Sequence, residues 1–436
     1  MLKKPESFCF LLLFLIAFGL QSSGIADDWR QFRGPNGNGI VSQIKHPTSW
    51  SNDKNVAWKS ELPGGGLSSP IIIGDKVIVT SVVGAELPKN FAGGVSNMRP
   101  SRPPGPVKFV VTCLSLETGK SAWEKTLANA RPEFPIHSSN SFATETPASD
   151  GERVFVYFAS IGKVFGLDLD GNKIWEKEIG SFPTGNGFGP GSSITVNENN
   201  VFVQCDNDKQ SFLVALDSKT GDQKWKKSRQ GRTSWSTPIL WKNKERVELV
   251  ACGSGFVTSY DPKTGNENWK LTGIGSSFSA SPASDSQRIY FGNSGPRSSG
   301  PLVAVDSQMS GTLNMEDEKV AWSRQRSGPG MSSPVVVDGY LYIPSRGMLT
   351  CYQAETGEEV YKKRLPLKSA ASSMWGSKKV VFLMDETGKC IAIKTGPEFE
   401  IVESNQIDDQ FWSTPSVAGK SLLLRGLKTL YCIREK

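Results

Sequence analysis

Histidine occurs twice in the 436 residues, at His46 and His137. A Ser-His-Asp triad or a histidine-rich metal site would have to be built on one of these two. No HExxH segment, Walker loop or strand-linked GxGxxG is present. Gly64-Gly65-Gly66 would cradle phosphate only if a helix followed it. Short Ser/Thr-rich segments recur along the chain, and Glu145 is the single acidic residue among them. Glu145 with Asn186 is the one pair that could contribute to a hard-cation site, and such sites usually take more than one carboxylate. The simpler reading of Glu145 is an exposed residue beside a strand start. The same segments carry Trp235, Phe278, Met331 and Trp412, with Arg232 and Arg326 nearby. Aromatic side chains with a few arginines suit a planar ligand or a peptide. The competing reading is that they plug a channel or pack between elements.

The elements that would position these residues come from an internal repeat. CLSLETGKSAW (113–123), ALDSKTGDQKW (215–225), SYDPKTGNENW (259–269) and CYQAETGEEVY (351–361) are one unit, and GLDLDGNKIW (166–175) is a shorter version of it. Each is an apolar run, a polar turn ending in Gly, and an aromatic four residues later. The aromatics are Trp58, Trp123, Trp175, Trp225, Trp269, Trp322 and Tyr361, spaced at about 50 residues. Gly supplies the positive φ that reverses the chain, and the aromatic fills the gap between neighbouring units. Upstream of each turn, a Ser/Thr segment leads into two β-rich runs. Eight such strand starts lie near Ser69, Thr146, Ser193, Thr237, Ser281, Ser333, Ser373 and Thr414.

Four short strands per unit without an amphipathic helical segment predict an all-β fold, an eight-bladed β-propeller. The last unit stops after three strands, at LYCIREK, while NVAWKSELP (55–63) is an orphan fourth strand. Pairing the two completes blade eight and closes the ring, leaving no open sheet edge. The expected organisation is a signal peptide at 1–26, a lead-in at 27–54 and one propeller at 55–436. In the third strand of each unit, one position is always small: Cys113, Gly166, Ala215, Ser259, Ala304, Cys351, Cys390 and Cys432. Those cysteines then act as small buried fillers in separate blades, too far apart to bridge. Cys205 and Cys252 receive the same reading.

Lys3 and Lys4 precede an apolar run, Phe8 to Leu20, and a Gly24-Ile25-Ala26 cleavage pattern, which predicts export to the periplasm or medium. A spanning helix needs about 20 apolar residues, so no stable membrane span is expected after cleavage. The net charge of +7 falls by one on removal of the leader. Charge this mild, without a Lys/Arg block, argues against nucleic-acid binding. KERVELV and YKKRL read as solvated strand ends.

The S-x-P … ALDxxTGxxxW repeat resembles that of the pyrroloquinoline-quinone (PQQ) type propellers. These include quinoprotein alcohol dehydrogenases and the outer-membrane assembly lipoprotein of bacteria. DWRQFRGPNGNG (28–39) with NVAW (55–58) is similar to the exported quinone-repeat-like propellers of planctomycete-type bacteria. The resemblance implies a funnel above the central channel. In the catalytic members it implies a quinone, a Ca²⁺ held by a carboxylate and an amide, an Asp base, and often a disulfide between adjacent cysteines. No Cys-Cys dipeptide exists here.

The expected function is therefore a non-catalytic binding or scaffold module without a cofactor, taking a protein partner or small ligand at its funnel face. The expected contacts are Trp235, Trp412, Phe278, Met331, Arg232 and Arg326. The alternative is a PQQ- and calcium-dependent oxidoreductase of alcohols or sugars, and a third reading is a polysaccharide-binding accessory protein. Two long connections, Val82–Lys108 and Ala128–Phe142, are expected on the funnel face, the first as an exposed flap.

Overall fold

The computed structural model describes residues 28–88, 99–275, 277–295, 299–368 and 372–435. The expected leader lies outside these residues, as does the middle of the 82–108 connection. Eight sheets form the eight blades of a propeller. Each of blades one to seven is an antiparallel meander, within 71–130, 148–178, 195–228, 239–272, 283–324, 335–364 and 375–406, and only in blade five is the run of strands interrupted, by Gly311–Leu313, which joins blade four. Blade eight takes three strands from 416–433 and its outermost from Val56–Glu61. That strand runs antiparallel to Thr429–Ile433, with Trp58 opposite Cys432.

Side chains along each strand alternate between two gaps, because successive residues of a strand face opposite ways. In Lys76–Val83, Val77 and Val79 face the gap to blade eight and Ile78 the gap to blade two. The core is consequently distributed as a set of apolar clusters between neighbouring blades.

The repeat motif is a contact between blades. In five of the gaps between blades, the Gly of the turn lies under the aromatic of the preceding blade. A Cβ on Gly171, Gly221, Gly265 or Gly357 would stand 2.6–2.8 Å from Trp123, Trp175, Trp225 or Trp322. Each indole N–H also donates to a turn carbonyl of that next blade. Trp58 reaches Leu116 at 2.9 Å, Trp123 reaches Leu169 at 3.0 Å, Trp175 reaches Ser218 at 3.0 Å and Trp322 reaches Ala354 at 3.0 Å. Glycine is therefore required twice, for its positive φ and for the missing Cβ.

Three gaps depart from the pattern, and in that after blade six the turn Gly396 has nothing within 4 Å of its absent Cβ. Trp269 of blade four donates to Glu248 of its own blade at 2.7 Å and is covered by an extra parallel strand, Gly311–Leu313. Blade seven carries Glu403 at the aromatic position, opposite Ala392. This corrects the alignment of Cys390. The bulge that marks the slot falls after Ala392, so Ala392 is the small filler and Cys390 sits two residues earlier. The chain compensates with the lead-in: Trp50 and His46 pack on Phe382, and the backbone N–H of Trp50 donates to the side-chain oxygen of Asn405 at 2.7 Å. The six cysteines of the described residues are free thiols in six different blades, and Cys205 is the one that is not fully buried.

Candidate ligand funnel

The eight strand starts form a ring around the channel. The backbone N–H of Ser69 donates to the hydroxyl of Thr146 at 3.0 Å, Thr146 to Ser193 at 3.0 Å, and Ser193 to Thr237 at 2.9 Å. Thr237 continues to Ser281 at 2.9 Å, Ser281 to Ser333 at 2.9 Å, Ser333 to Ser373 at 3.2 Å, and Ser373 to Thr414 at 2.9 Å. Seven of the eight N–H groups thus find their acceptor on the next blade, which satisfies donors that a blade start would otherwise strand. This is why every repeat begins with Ser or Thr. All eight hydroxyls face a cavity of about 920 Å³.

Below the ring, the lead-in crosses the channel. Trp29 pairs with Ile72 of blade one at 3.0 and 2.9 Å, and the Arg30 carbonyl accepts from Ser149 of blade two at 2.8 Å. Gln31 accepts from Val196 of blade three, and Gly37 abuts Ile239 of blade four. Arg33 donates to the carbonyls of Pro282 at 2.7 Å and of Pro334, in blades five and six. Gly39 accepts from Gly376 of blade seven at 3.0 Å. The segment DWRQFRGPNGNG is thus a floor that touches the innermost strands of seven blades, and Phe32 projects from it into the cavity wall.

The mouth is shaped by the two long connections, which meet. Ser101 bridges Ile136, Arg102 donates to the Glu133 carbonyl at 3.0 Å, and Arg131 to Pro103 at 3.1 Å. Asn140 holds this pair against the next loop, donating to Phe188 at 2.8 Å and Pro190 at 3.1 Å.

Of the six residues expected at the funnel, the structure places Trp235, Met331 and Trp412 on the cavity wall. The Trp235 indole donates to Gly189 at 2.7 Å and meets Phe188 edge-on at 5.9 Å. Met331 is 42% exposed. Phe278 is not on the wall; it is fully buried in the apolar cluster between blades four and five. Arg232 and Arg326 are exposed and lie off the cavity. The cationic side chains on the wall are Arg346 and Lys368.

Glu145 is also corrected. It is 3% exposed, with its carboxylate held by the backbone N–H groups of Ala159, Thr144 and Glu145 itself. Burial pushes its pKa up to about 8. Asn186 lines the cavity and Glu145 does not. Phe32, the hydroxyl ring and Arg346 were not singled out as site residues from the sequence. The Ser/Thr at every strand start was the signal for the ring.

The PQQ_2 family model, described as outer membrane protein assembly factor BamB, matches residues 48–189 and 107–329. This chain belongs to the PQQ_2 family. Among curated proteins none matches the sequence. BamB from Moraxella catarrhalis superposes with a TM-score of 0.54 at 13% identity, covering 82% of this chain and 98% of that one. Quinohemoprotein alcohol dehydrogenase from Comamonas testosteroni superposes with a TM-score of 0.65 at 11% identity, covering 94% of this chain and 81% of that one. Sqt1 from Saccharomyces cerevisiae gives 0.56 at 11%, over 89% and 100%. At such identities the likeness establishes the fold, and activity has to be argued from the site. Among the described residues of this PQQ_2 member, no helix is long and apolar enough to cross a membrane.

Proposed function

We propose that this protein is an exported, non-catalytic binding module whose funnel receives a small ligand or a segment of a protein partner. One observation carries the reading. A cavity of about 920 Å³, closed below by the lead-in and open above, is walled by Trp235, Trp412, Met331 and Phe188 over a ring of hydroxyls. Ligand sites are typically concave, mostly apolar and furnished with a few convergent polar groups. The family description, an outer membrane protein assembly factor, supports a binding role in the cell envelope.

The residues present do not fit the calcium and quinone centre of the dehydrogenase-type members. The cavity wall carries no carboxylate, and Glu145 is buried behind it. Among the described residues no group of three His, Cys, Asp or Glu could hold a metal ion. Calcium sites are usually built on several oxygens that include carboxylates.

The test is site-specific photo-crosslinking in cells. A photoreactive residue at Met331 or Trp412 should yield discrete adducts. The same residue at Val402, exposed on the outer strand of blade seven, should yield none. Adducts from Val402 alone would move the binding surface to the rim of the disc.

A further inference from the structure

A second concavity lies at the other end of the channel. The innermost strands start at the hydroxyl ring and run away from the mouth, so the turns that follow them lie on the opposite face of the disc. Thr146 lines the funnel, whereas Ser149 and Asp150, further along the same strand, line a cavity of about 580 Å³ together with Asn197 and Glu198 of blade three. The lead-in separates the two spaces. Phe32 faces the funnel, while Asp28, Arg30 and Asn36 face the second cavity, whose apolar part includes Pro35, Ile40 and Val41. Its volume falls within the roughly 300–1,000 Å³ of ligand sites.

The charges of this wall cancel locally. Arg30 binds the Asp28 carboxylate at 2.5 and 2.7 Å and the Asp150 carbonyl at 3.3 Å. The other Asp28 oxygen accepts the Gly74 N–H at 2.8 Å. Asp150 pairs with Arg153 at 2.7 Å and accepts the backbone N–H groups of Glu152 and Arg153. Glu152 also reaches Arg153, at 3.3 Å. An anion would have to displace Asp28 from Arg30. One charge is left over, the exposed carboxylate of Glu198, and a single exposed carboxylate holds a cation weakly.

The remaining uncommitted groups are neutral. Among the described residues, the Asn36 amide and the Ser42 hydroxyl make no side-chain hydrogen bond, and both line the cavity. Asn197 spends its side-chain oxygen on the N–H groups of Asn199 and Asn200, at 3.1 and 2.8 Å, and keeps its NH₂ as a donor. Amides and hydroxyls donate and accept, and a carboxylate accepts. A sugar ring is the complement of such a wall, since its hydroxyls both donate and accept and its C–H face is apolar.

We propose that this cavity is a second binding site, for a neutral sugar unit, free or at the end of a glycan chain. Its hydroxyls pair with Asn36, Ser42, Asn197 and Glu198, and its C–H face lies on Ile40 and Val41. The site goes beyond the funnel reading and does not depend on it.

The test is a saturation-transfer NMR titration of the full exported chain with maltose, cellobiose and N,N′-diacetylchitobiose, and with the hexasaccharide of each series. At least one disaccharide should bind with a Kd near or below about 1 mM. In Asn36→Ala/Glu198→Gln, whose exposed side chains leave no protein group unpaired, that Kd should rise at least about fivefold. In Trp412→Ala it should match the parent. Either behaviour of the hexasaccharide supports the site: equal binding assigns it to a chain end, and exclusion assigns it to a free sugar. Glucosamine or glucuronate displacing the disaccharide better than glucose would overturn the neutral chemistry. No binding of any sugar, with or without capture of a trilysine peptide, would overturn the site. So would a loss in Trp412→Ala that spares Asn36→Ala/Glu198→Gln, which would move the sugar to the funnel.

Discussion

Glu145 stands between Thr144 and Thr146 at the start of blade two, and its surroundings make it a pH sensor of stability. Its folded pKa is raised to about 8 by desolvation, against about 4.5 for a free carboxyl. The folded state therefore holds this proton where the unfolded chain has released it. The stability it contributes is complete below about 4.5 and is lost as pH rises through about 8. Each unit of displacement is worth about 1.4 kcal/mol, so the whole effect is on the order of a few kcal/mol. His46, depressed to about 4 by burial, acts in the other direction and only below its ordinary value of 6.5. Denaturant melts between pH 6.5 and 8.5 isolate Glu145. The parent should lose stability across that window and Glu145→Gln should stay nearly flat. Parallel curves would refute the assignment. The thiols give a second residue-scale expectation. Burial pushes Cys113 and Cys432 up to about 11 and Cys252 and Cys351 up to about 12. Few thiolates are then available at neutral pH. Native labelling should be slow at all six, with Cys205 reacting first, and mass spectrometry should find no intramolecular disulfide. The exposure of single residues was poorly legible in the sequence. Glu145 and Phe278 occupy the same kind of Ser/Thr-rich segment as Trp235, and only the path of the neighbouring loops decides which side chain faces the cavity.

Between neighbouring blades, the unit of cohesion is the aromatic clasped on the next turn. Gly221 has φ of +74° with Trp175 above it, whereas Gly74 has φ of +57° and nothing within 4 Å of its absent Cβ. Gly74→Ala should cost only the left-handed strain, about 1 kcal/mol. Gly221→Ala should cost that plus displacement of the indole, typically about 1–3 kcal/mol more. Equal losses on chemical denaturation would show that the clasp contributes little. The strands, the turns and the aromatic positions were legible because each repeats the same local chemistry. The register of blade seven was not. Its fourth strand lacks the aromatic, so nothing in the local pattern distinguishes Cys390 from Ala392, and the bulge after Ala392 settles it. The departure is compensated from outside the repeat, by Trp50 and His46 of the lead-in.

At the scale of the molecule, residues 28–63 close the ring twice, as the outer strand of blade eight and as the floor of the channel. Removing them should lower the melting temperature far more than the loss of an ordinary tail, because Trp58, Trp50, Trp29 and Arg33 all leave their neighbours. A truncated protein melting within about two degrees of the parent would contradict this closure. The closing strand was legible from the missing fourth strand of the last repeat. The floor was not, since its contacts join positions as far apart as Arg33 and Pro334 and carry no local periodicity. The funnel as a binding mouth is the central claim, and it is tested most directly by measuring capture of the crosslinked partner by three proteins: the parent, Trp412→Ala and Glu145→Gln, each with the photoreactive residue at Met331. Trp412→Ala should weaken capture by more than about 1 kcal/mol relative to the parent, as loss of an aromatic anchor does. Glu145→Gln should leave it unchanged. The reverse order, with Trp412→Ala silent and Glu145→Gln abolishing a calcium- and quinone-dependent oxidation, would contradict the account.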